Sequence, residues 1–221
     1  MQPTREPSAG RVLAVCRVHR LQPDGDRGDV TGIDKRPVEG AVDAGPVGLR
    51  GDVQADRVDH GGPDKALYAY AQEEADHWAG VLERDVVPGL FGENLRTAGV
   101  DVDGAEVGER WRVGDRLEVE VTMARTPCMT FARHLDEQRW VRRFAEHGRP
   151  GAYLRVLVPG PVAAGDAVEV LSRPGHGVTT SAFFTDPTPE RARVLRDLHD
   201  AGELDVAEAL LRYVDRALAR A

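Results

Sequence analysis

The chain has 221 residues, with 29 Lys and Arg against 37 Asp and Glu, for a formal charge of −8. That length can bury a core without disulfide staples, and the acidic balance argues against bulk electrostatic capture of nucleic acid. The apolar runs fall far short of the roughly 18–20 residues that span a bilayer, and the polar start before Arg11 lacks the apolar core of a secretory signal; the expectation is a soluble cytoplasmic protein with neither membrane nor nucleic acid as partner.

Val12, Ala14, Cys16 and Val18 alternate with polar or opposite-facing residues, which predicts a half-buried strand over 12–19. Pro23-Asp24-Gly25-Asp26 reads as a turn before a second extended stretch around Val30 to Val38. Residues 41–64 are glycine-rich and polar, a looped region between short strands. From Asp64 to Leu82 the apolar residues recur at helical spacing, so an amphipathic helix is expected, with Pro63 near its start. The clearest strand is Arg116 to Thr122, where Leu117, Val119 and Val121 alternate with charged or polar neighbours. It runs directly into Arg125-Thr126-Pro127-Cys128. Asp136 to His147 reads as a helix with Asp136 as N-cap and Gly148 as stop. Ala152 to Val158 and Ala167 to Leu171 read as strands. Beyond Gly175 only helices are expected, one opened by Thr188-Pro189 and a last one capped by Asp205 with Glu208. This divides the chain into a strand-rich domain over 11–172 and a helical one over 178–221.

Three segments could carry chemistry. With only two cysteines, the chain cannot build a disulfide framework or a four-thiolate zinc site. Cys16 sits inside an apolar alternation and reads as a core residue. Cys128 follows a strand end, three residues after Arg125 and directly after the rigid Pro127. It is either a buried core thiol or a reactive one, since a neighbouring cation favours the thiolate. The second segment, Gly48 to Asp52 with His60-Gly61-Gly62-Pro63-Asp64-Lys65, is either a glycine-rich turn or an anion cradle with His60 and Lys65 as donor and charge. It fits neither a Walker loop nor the Rossmann glycine spacing. Asp52, Asp56, Asp59, His60 and Asp64 also admit a metal site, the basis of an Asp/His hydrolase, although no paired-histidine motif supports one. The third segment, Phe91-Gly92-Glu93-Asn94-Leu95, offers a carboxylate and an amide that either read a heterocycle edge or close a turn.

Taken in order, these motifs resemble the MOSC family, named for the C-terminal domain of molybdenum cofactor sulfurases, and within it the YiiM-like proteins. The resemblance runs through Gly32-Ile33-Asp34-Lys35-Arg36-Pro37-Val38, Gly48-Leu49-x-Gly51-Asp52-x-Gln54-x-Asp56, His60-Gly61-Gly62-x-Asp64-Lys65-Ala66, Phe91 to Leu95, Val113-Gly114-Asp115, Arg125-x-Pro127-Cys128 and Gly148 to Leu157. It implies a mainly β, α+β architecture, a barrel with inserted helices and a three-helix C-terminal appendage. It implies the molybdenum cofactor (a molybdopterin), with Cys128 as the thiolate that ligates the metal or carries transferable sulfur; molybdenum-ion and pyridoxal phosphate binding go with the same membership. The implied cofactor-binding set is Lys35, Gly51, Asp52, His60, Gly61, Gly62, Lys65, Glu93, Asn94 and Arg125, with His60 and Cys128 as the catalytic pair. The implied activity is reduction of N-hydroxylated substrates such as 6-hydroxylaminopurine, with electrons from a flavin or iron-sulfur reductase; the rival is a sulfur-carrier or cofactor-delivery module with a Cys128 persulfide. Three positions near the cysteine depart from the pattern. Thr130 and Phe131 occupy positions that are often Lys and Leu in relatives, and Ala124 stands where Pro commonly precedes the arginine.

Overall fold

The computed structural model of the protein describes residues 10–25, 29–54 and 61–220. Its main sheet has eight strands: β1 (Gly10–Val18), β4 (Lys35–Pro37), β7 (Leu67–Ala71), β8 (Leu95–Ala98), β9 (Arg110–Val113), β10 (Leu117–Ala124), β11 (Ala152–Val158) and β13 (Ala167–Ser172). They lie in the order β13-β9-β10-β11-β7-β8-β1-β4. Because β1 also pairs with β13, Gly10 facing Val168, all of them but β4 close into a ring. Closure removes the exposed edges that an open sheet would carry. Every pairing in the ring is antiparallel except β7 with β8. Two small sheets stand outside it: β2 (Gln22–Asp24) with β3 (Asp29–Thr31), and β5 (Val42–Gly45) between β6 (Gly48–Leu49) and β12 (Gly160–Val162).

The strand alternation explains the ring's interior. Leu117, Val119 and Val121 from β10 meet Val12, Leu95, Trp111, Leu154 and Val168 in one buried cluster. A second buried cluster lies on the outer side and gathers most of the chain's few aromatic residues. Helices α1 (Gln72–Leu82), α2 (Met129–Leu135) and α3 (Trp140–His147) contribute Trp78, Phe131, Trp140 and Phe144 to it. The C-terminal helices α4 (Thr180–Thr185), α5 (Pro189–Asp200) and α6 (Glu208–Leu218) join the same cluster through Phe183, Leu195, Leu210 and Val214. The helical end of the chain thus packs on its own barrel. Arg155 on β11 adds a polar clamp there, pairing with Asp64, Glu120 and Asp205.

Several sequence expectations hold, and three need correction. The strand over 152–158, the Gly148 helix stop with φ 76° and the Thr188 cap, whose hydroxyl accepts from Arg191 N, are found as expected. The helix expected from 64 to 82 begins only at Gln72, because Leu67–Ala71 is a strand. All five of its residues are buried between β11 and β8, and a short continuous apolar run with both faces buried does not reveal its period. The helix expected from 136 to 147 begins only at Trp140, and Asp136 instead ends the preceding helix α2, in the left-handed region at φ 54°. Asp205 does not cap α6, whose cap is Ala207; its carboxylate instead meets Arg155 at 2.5 Å.

Candidate functional site

Strand β10 ends at Ala124, and the chain then carries Arg125, Thr126 and Pro127 to Cys128, the residue that precedes α2. Opposite, the 3-10 turn Pro63–Lys65 is tied to β10 by Thr122, whose hydroxyl donates to Asp64 O at 2.6 Å. These two segments, with the β3–β4 connection and the Phe91–Asn94 turn, wall an open cleft of about 150 Å3. Cys128, Lys65, Arg125, Lys35, Asp52 and Asn94 all line it.

The charges in this cleft fall into two kinds. Asp52 is fully engaged: it accepts from Val18 N, from Lys35 Nζ and from Asn94 Nδ2, each at 2.8 Å. Asn94 is also spent, since its Oδ1 accepts from Tyr68 N at 3.2 Å and its Nδ2 also donates to Cys16 O at 3.2 Å. Arg125 differs. It is 4% exposed, and among the described residues no carboxylate pairs with it. Its guanidinium lies 4.1 Å from the Phe131 ring centre and 5.8 Å from that of Tyr68, and among the described residues donates only to Thr126 O, at 3.3 Å. The aromatic at 131, a departure from the family pattern, is therefore the platform of this arginine. Its ring is held edge-on by Phe91, Trp140 and Phe144. Lys65 is buried as well, with its Nζ 5.7 Å from the centre of the Tyr153 ring.

The two cysteines separate as their sequence settings suggest. Cys16 is wholly buried, and burial foremost, with the Glu93 carboxylate adding to it, pushes its thiol up to about 12. A thiol so held is not a nucleophile near neutral pH. Cys128 is partly exposed and faces the cleft.

Of the remaining expected residues, Gly51 and Gly62 shape the loop and do not line the cleft. Gly51 adopts φ +79°, where a Cβ would meet Arg17 Nη1 at 2.8 Å. Gly62 adopts φ +91° and donates its N–H to Gln54 Oε1 at 2.9 Å. Gly61 does not line the cleft either. Glu93 is not brought to the cleft: it is fully buried, and its carboxylate pairs with Arg96 while accepting from Gly89 N and Phe91 N. That carboxylate shapes the turn from behind and has no capacity left to orient a ligand. His60, Asp56 and Asp59 lie outside the described residues. Asp64 pairs with Arg155 and Asp52 with Lys35, and among the described residues no group of three or more His, Cys, Asp or Glu side chains could hold a metal ion by itself. The sequence reading missed Tyr68, Tyr153 and Gln54, which also line the cleft. Gln54 carried a signal as a member of the Gly48–Asp56 motif, and Tyr153 lay within the Gly148–Leu157 segment; Tyr68 carried none.

Comparison with known proteins agrees with this architecture. The MOSC domain model matches residues 56–169. The uncharacterized protein YflK of Bacillus subtilis is 38% identical over 199 residues, covering 90% of this chain and 85% of that one. Protein YiiM of Escherichia coli is 34% identical over 149 residues, 66% of each chain. A Gibberella moniliformis protein named reductase is 30% identical over 176 residues, 78% of this chain but 31% of that longer one. The crystal structure of YiiM from Geobacillus stearothermophilus superposes with a TM-score of 0.74 at 22% identity, over 95% of this chain and 99% of that one. Among the described residues no helix is long and apolar enough to cross a membrane. The closed barrel, the C-terminal helices and these matches place the chain in the MOSC domain family, among its YiiM-like members.

Proposed function

We propose that this protein is a binding module for the molybdenum cofactor, with Cys128 as the sulfur atom that faces it. The observation that supports the reading is the convergence on one cleft of Cys128, Lys65 and Arg125, an arginine that no carboxylate pairs with among the described residues. A buried guanidinium without a counter-ion is costly unless an anion completes it, and a pterin phosphate would do so. A single thiolate is sufficient protein ligation for a metal that already carries dithiolene sulfur, and thiolate suits such a soft centre. The residues present therefore fit the group. Lys65 and Arg125 would hold its phosphate, and Cys128 would face its metal end. When bound, the group supplies two-electron redox or sulfur-transfer chemistry; the protein supplies binding and orientation. Tyr68 and Phe131 shield the arginine from water and fix its direction.

The reading that asks least of the geometry is a sulfur carrier or cofactor-delivery protein, because among the described residues the cleft is lined by no histidine that would donate protons. The test is direct. Protein purified from a cofactor-competent host should contain molybdenum and pterin, and intact mass spectrometry should detect an added sulfur atom on Cys128. The Cys128→Ser variant should fold and lose both the metal and the added sulfur. Wild-type protein with neither pterin nor added sulfur would overturn the proposal.

A second reading, turnover, is favoured by the alignment with a longer protein whose name is reductase. In it an N-hydroxylated substrate such as 6-hydroxylaminopurine accepts two electrons and two protons, its N–O bond breaks, and amine and water leave. The electrons would come from a partner flavin or iron-sulfur reductase. Substrate loss that tracks molybdenum content and disappears in Cys128→Ser would favour this reading over the carrier.

A further inference from the structure

Behind the wall formed by Lys65, Cys128 and Tyr153 lies a second cleft, of about 260 Å3, between the barrel and α6. Those three residues line both clefts, so Cys128 stands at the partition between them. The far side is built by one face of α6: Ala209, Arg212, Tyr213 and Arg216. Their spacing is that of a single helical stripe, while Leu210, Val214 and Ala217 form the stripe buried in the outer cluster. Tyr213 is 39% exposed, with the Arg216 guanidinium 5.3 Å from its ring centre.

Among the described residues the charge of this second cleft is one-sided. Lys65, Arg212 and Arg216 line it, and among the described lining residues there is no carboxylate, in a chain whose net charge is −8. The neighbouring Glu208 approaches Arg212 only to 3.4 Å, with both side chains exposed, a weak pairing in solvent. Arg216 makes no ion pair among the described residues. The Thr126 hydroxyl lies in the same wall. Two arginines one helical turn apart, opposite a lysine, suit the several oxygens of a phosphomonoester.

We infer that the second cleft is a phosphomonoester site, which binds the phosphate of a small-molecule substrate or acceptor whose other end reaches Cys128. The ligand class is a phosphorylated heterocycle of mononucleotide size, and not a neutral free base. The inference rests on Cys128 as the working end of the cleft, but phosphate recognition itself is independent of the cofactor. The same cations would also suit the phosphate of the cofactor, so the experiment separates the two sources.

Cofactor-free full-length protein is titrated calorimetrically with AMP, adenosine and inorganic phosphate, for the wild type and for an Arg212→Gln/Arg216→Gln double variant. Both arginines are exposed, so the variant should fold normally. AMP should bind at least about tenfold more tightly than adenosine, and the double variant should lose about tenfold for AMP, with adenosine unchanged. Inorganic phosphate should compete with AMP. Holo-protein carrying the double substitution should retain its pterin and molybdenum. Equal binding of AMP and adenosine, or unchanged AMP affinity in the variant, overturns the inference. Loss of pterin from the variant also overturns it, by assigning these cations to the phosphate of the cofactor. Absence of cofactor from the wild type would sink the cofactor reading and leave the AMP result standing.

Discussion

Arg96 and Arg125 are both buried in the barrel region, and their surroundings could hardly differ more. Arg96 is 0% exposed and fully engaged: its Nε donates to Glu93 Oε1 at 2.9 Å, and its remaining N–H groups reach Gln72 Oε1, Val86 O and Val87 O. Arg125 has two aromatic faces and one long bond to Thr126 O. A buried charge surrounded by its own partners stabilises an architecture; one set among rings beside an open cleft is, in the reading proposed above, completed by an anion. Arg96, through Glu93, shapes the Phe91–Asn94 turn from behind, whereas Arg125 faces the cavity that this turn helps to enclose.

The largest effect should come from breaking the satisfied pair. Glu93→Ala leaves Arg96 charged and buried without its counter-ion, a change that costs about 3–5 kcal/mol in comparable settings. It also frees Gly89 N and Phe91 N, so the turn should loosen together with the fold. Urea denaturation of the variant should show a loss in that range. A loss below about 1 kcal/mol would mean that the pair is not what holds the turn.

Asp103 is a half-satisfied case and sharpens the comparison. One of its carboxylate oxygens accepts from Gly151 N at 2.8 Å, while the other is buried with no hydrogen-bond partner among the described residues. Burial, only partly countered by the Gly151 bond and by Arg149, raises its pKa from 3.8 to about 7. The folded state then holds a proton that the unfolded chain releases at lower pH. The stability contributed by this group is complete below pH 4, falls as pH rises from about 4 to 7, and is flat above. The shift corresponds to about 4 kcal/mol over that window. Asp103→Asn keeps the acceptor for Gly151 and cannot titrate. The difference between wild-type and variant unfolding free energies should therefore change with pH in that window, in favour of the variant at the alkaline end. A difference independent of pH would show that Asp103 ionises normally.

How much of this was legible in the sequence depended on whether a residue's role is local. Alternation along β10 exposed a strand because one face meets the barrel interior, and Thr188-Pro189 marked a helix start because capping is local. Leu67–Ala71 misled because burial on both faces removes the polar half of the pattern. Asp136 and Asp205 misled because an aspartate near a helix can close it, or serve a distant arginine, as readily as it caps the start. In the candidate site, Cys128, Lys65 and Arg125 could be read from their motifs. Glu93 resembled a ligand because sequence shows a carboxylate after a glycine but not Arg96 folded behind it. The stacking of Arg125 on Phe131 is a long-range outcome of the aromatic cluster, visible in the sequence only as a departure from the family pattern. That departure can be tested by Phe131→Leu, which removes the platform while keeping an apolar core residue. It should cost about 1–2 kcal/mol in thermal or chemical denaturation, from lost ring packing and cation–π attraction. A larger loss, near that of Glu93→Ala, would mean that the ring holds the core more than it holds the arginine.

The smallest effect on stability, and the most informative, should come from Arg125→Met. If Arg125 were a structural charge like Arg96, its removal would cost several kcal/mol by orphaning a carboxylate. Among the described residues it has none to orphan, and an unbranched apolar side chain can lie on the same two rings. Replacing a poorly paired buried charge with an apolar residue is often neutral or stabilising, so the unfolding free energy should stay within about 1 kcal/mol of wild type. Anion binding should move in the opposite direction. A hydrogen bond to a charged group contributes about 1.5–3 kcal/mol, which corresponds to a tenfold to hundredfold weaker hold on a phosphate-bearing cofactor. Stability measured beside pterin and molybdenum content tells the two roles apart. A variant that unfolds easily yet retains its cofactor would place Arg125 with Arg96 after all, and the cleft would lose the feature that most clearly distinguishes it from the rest of the barrel.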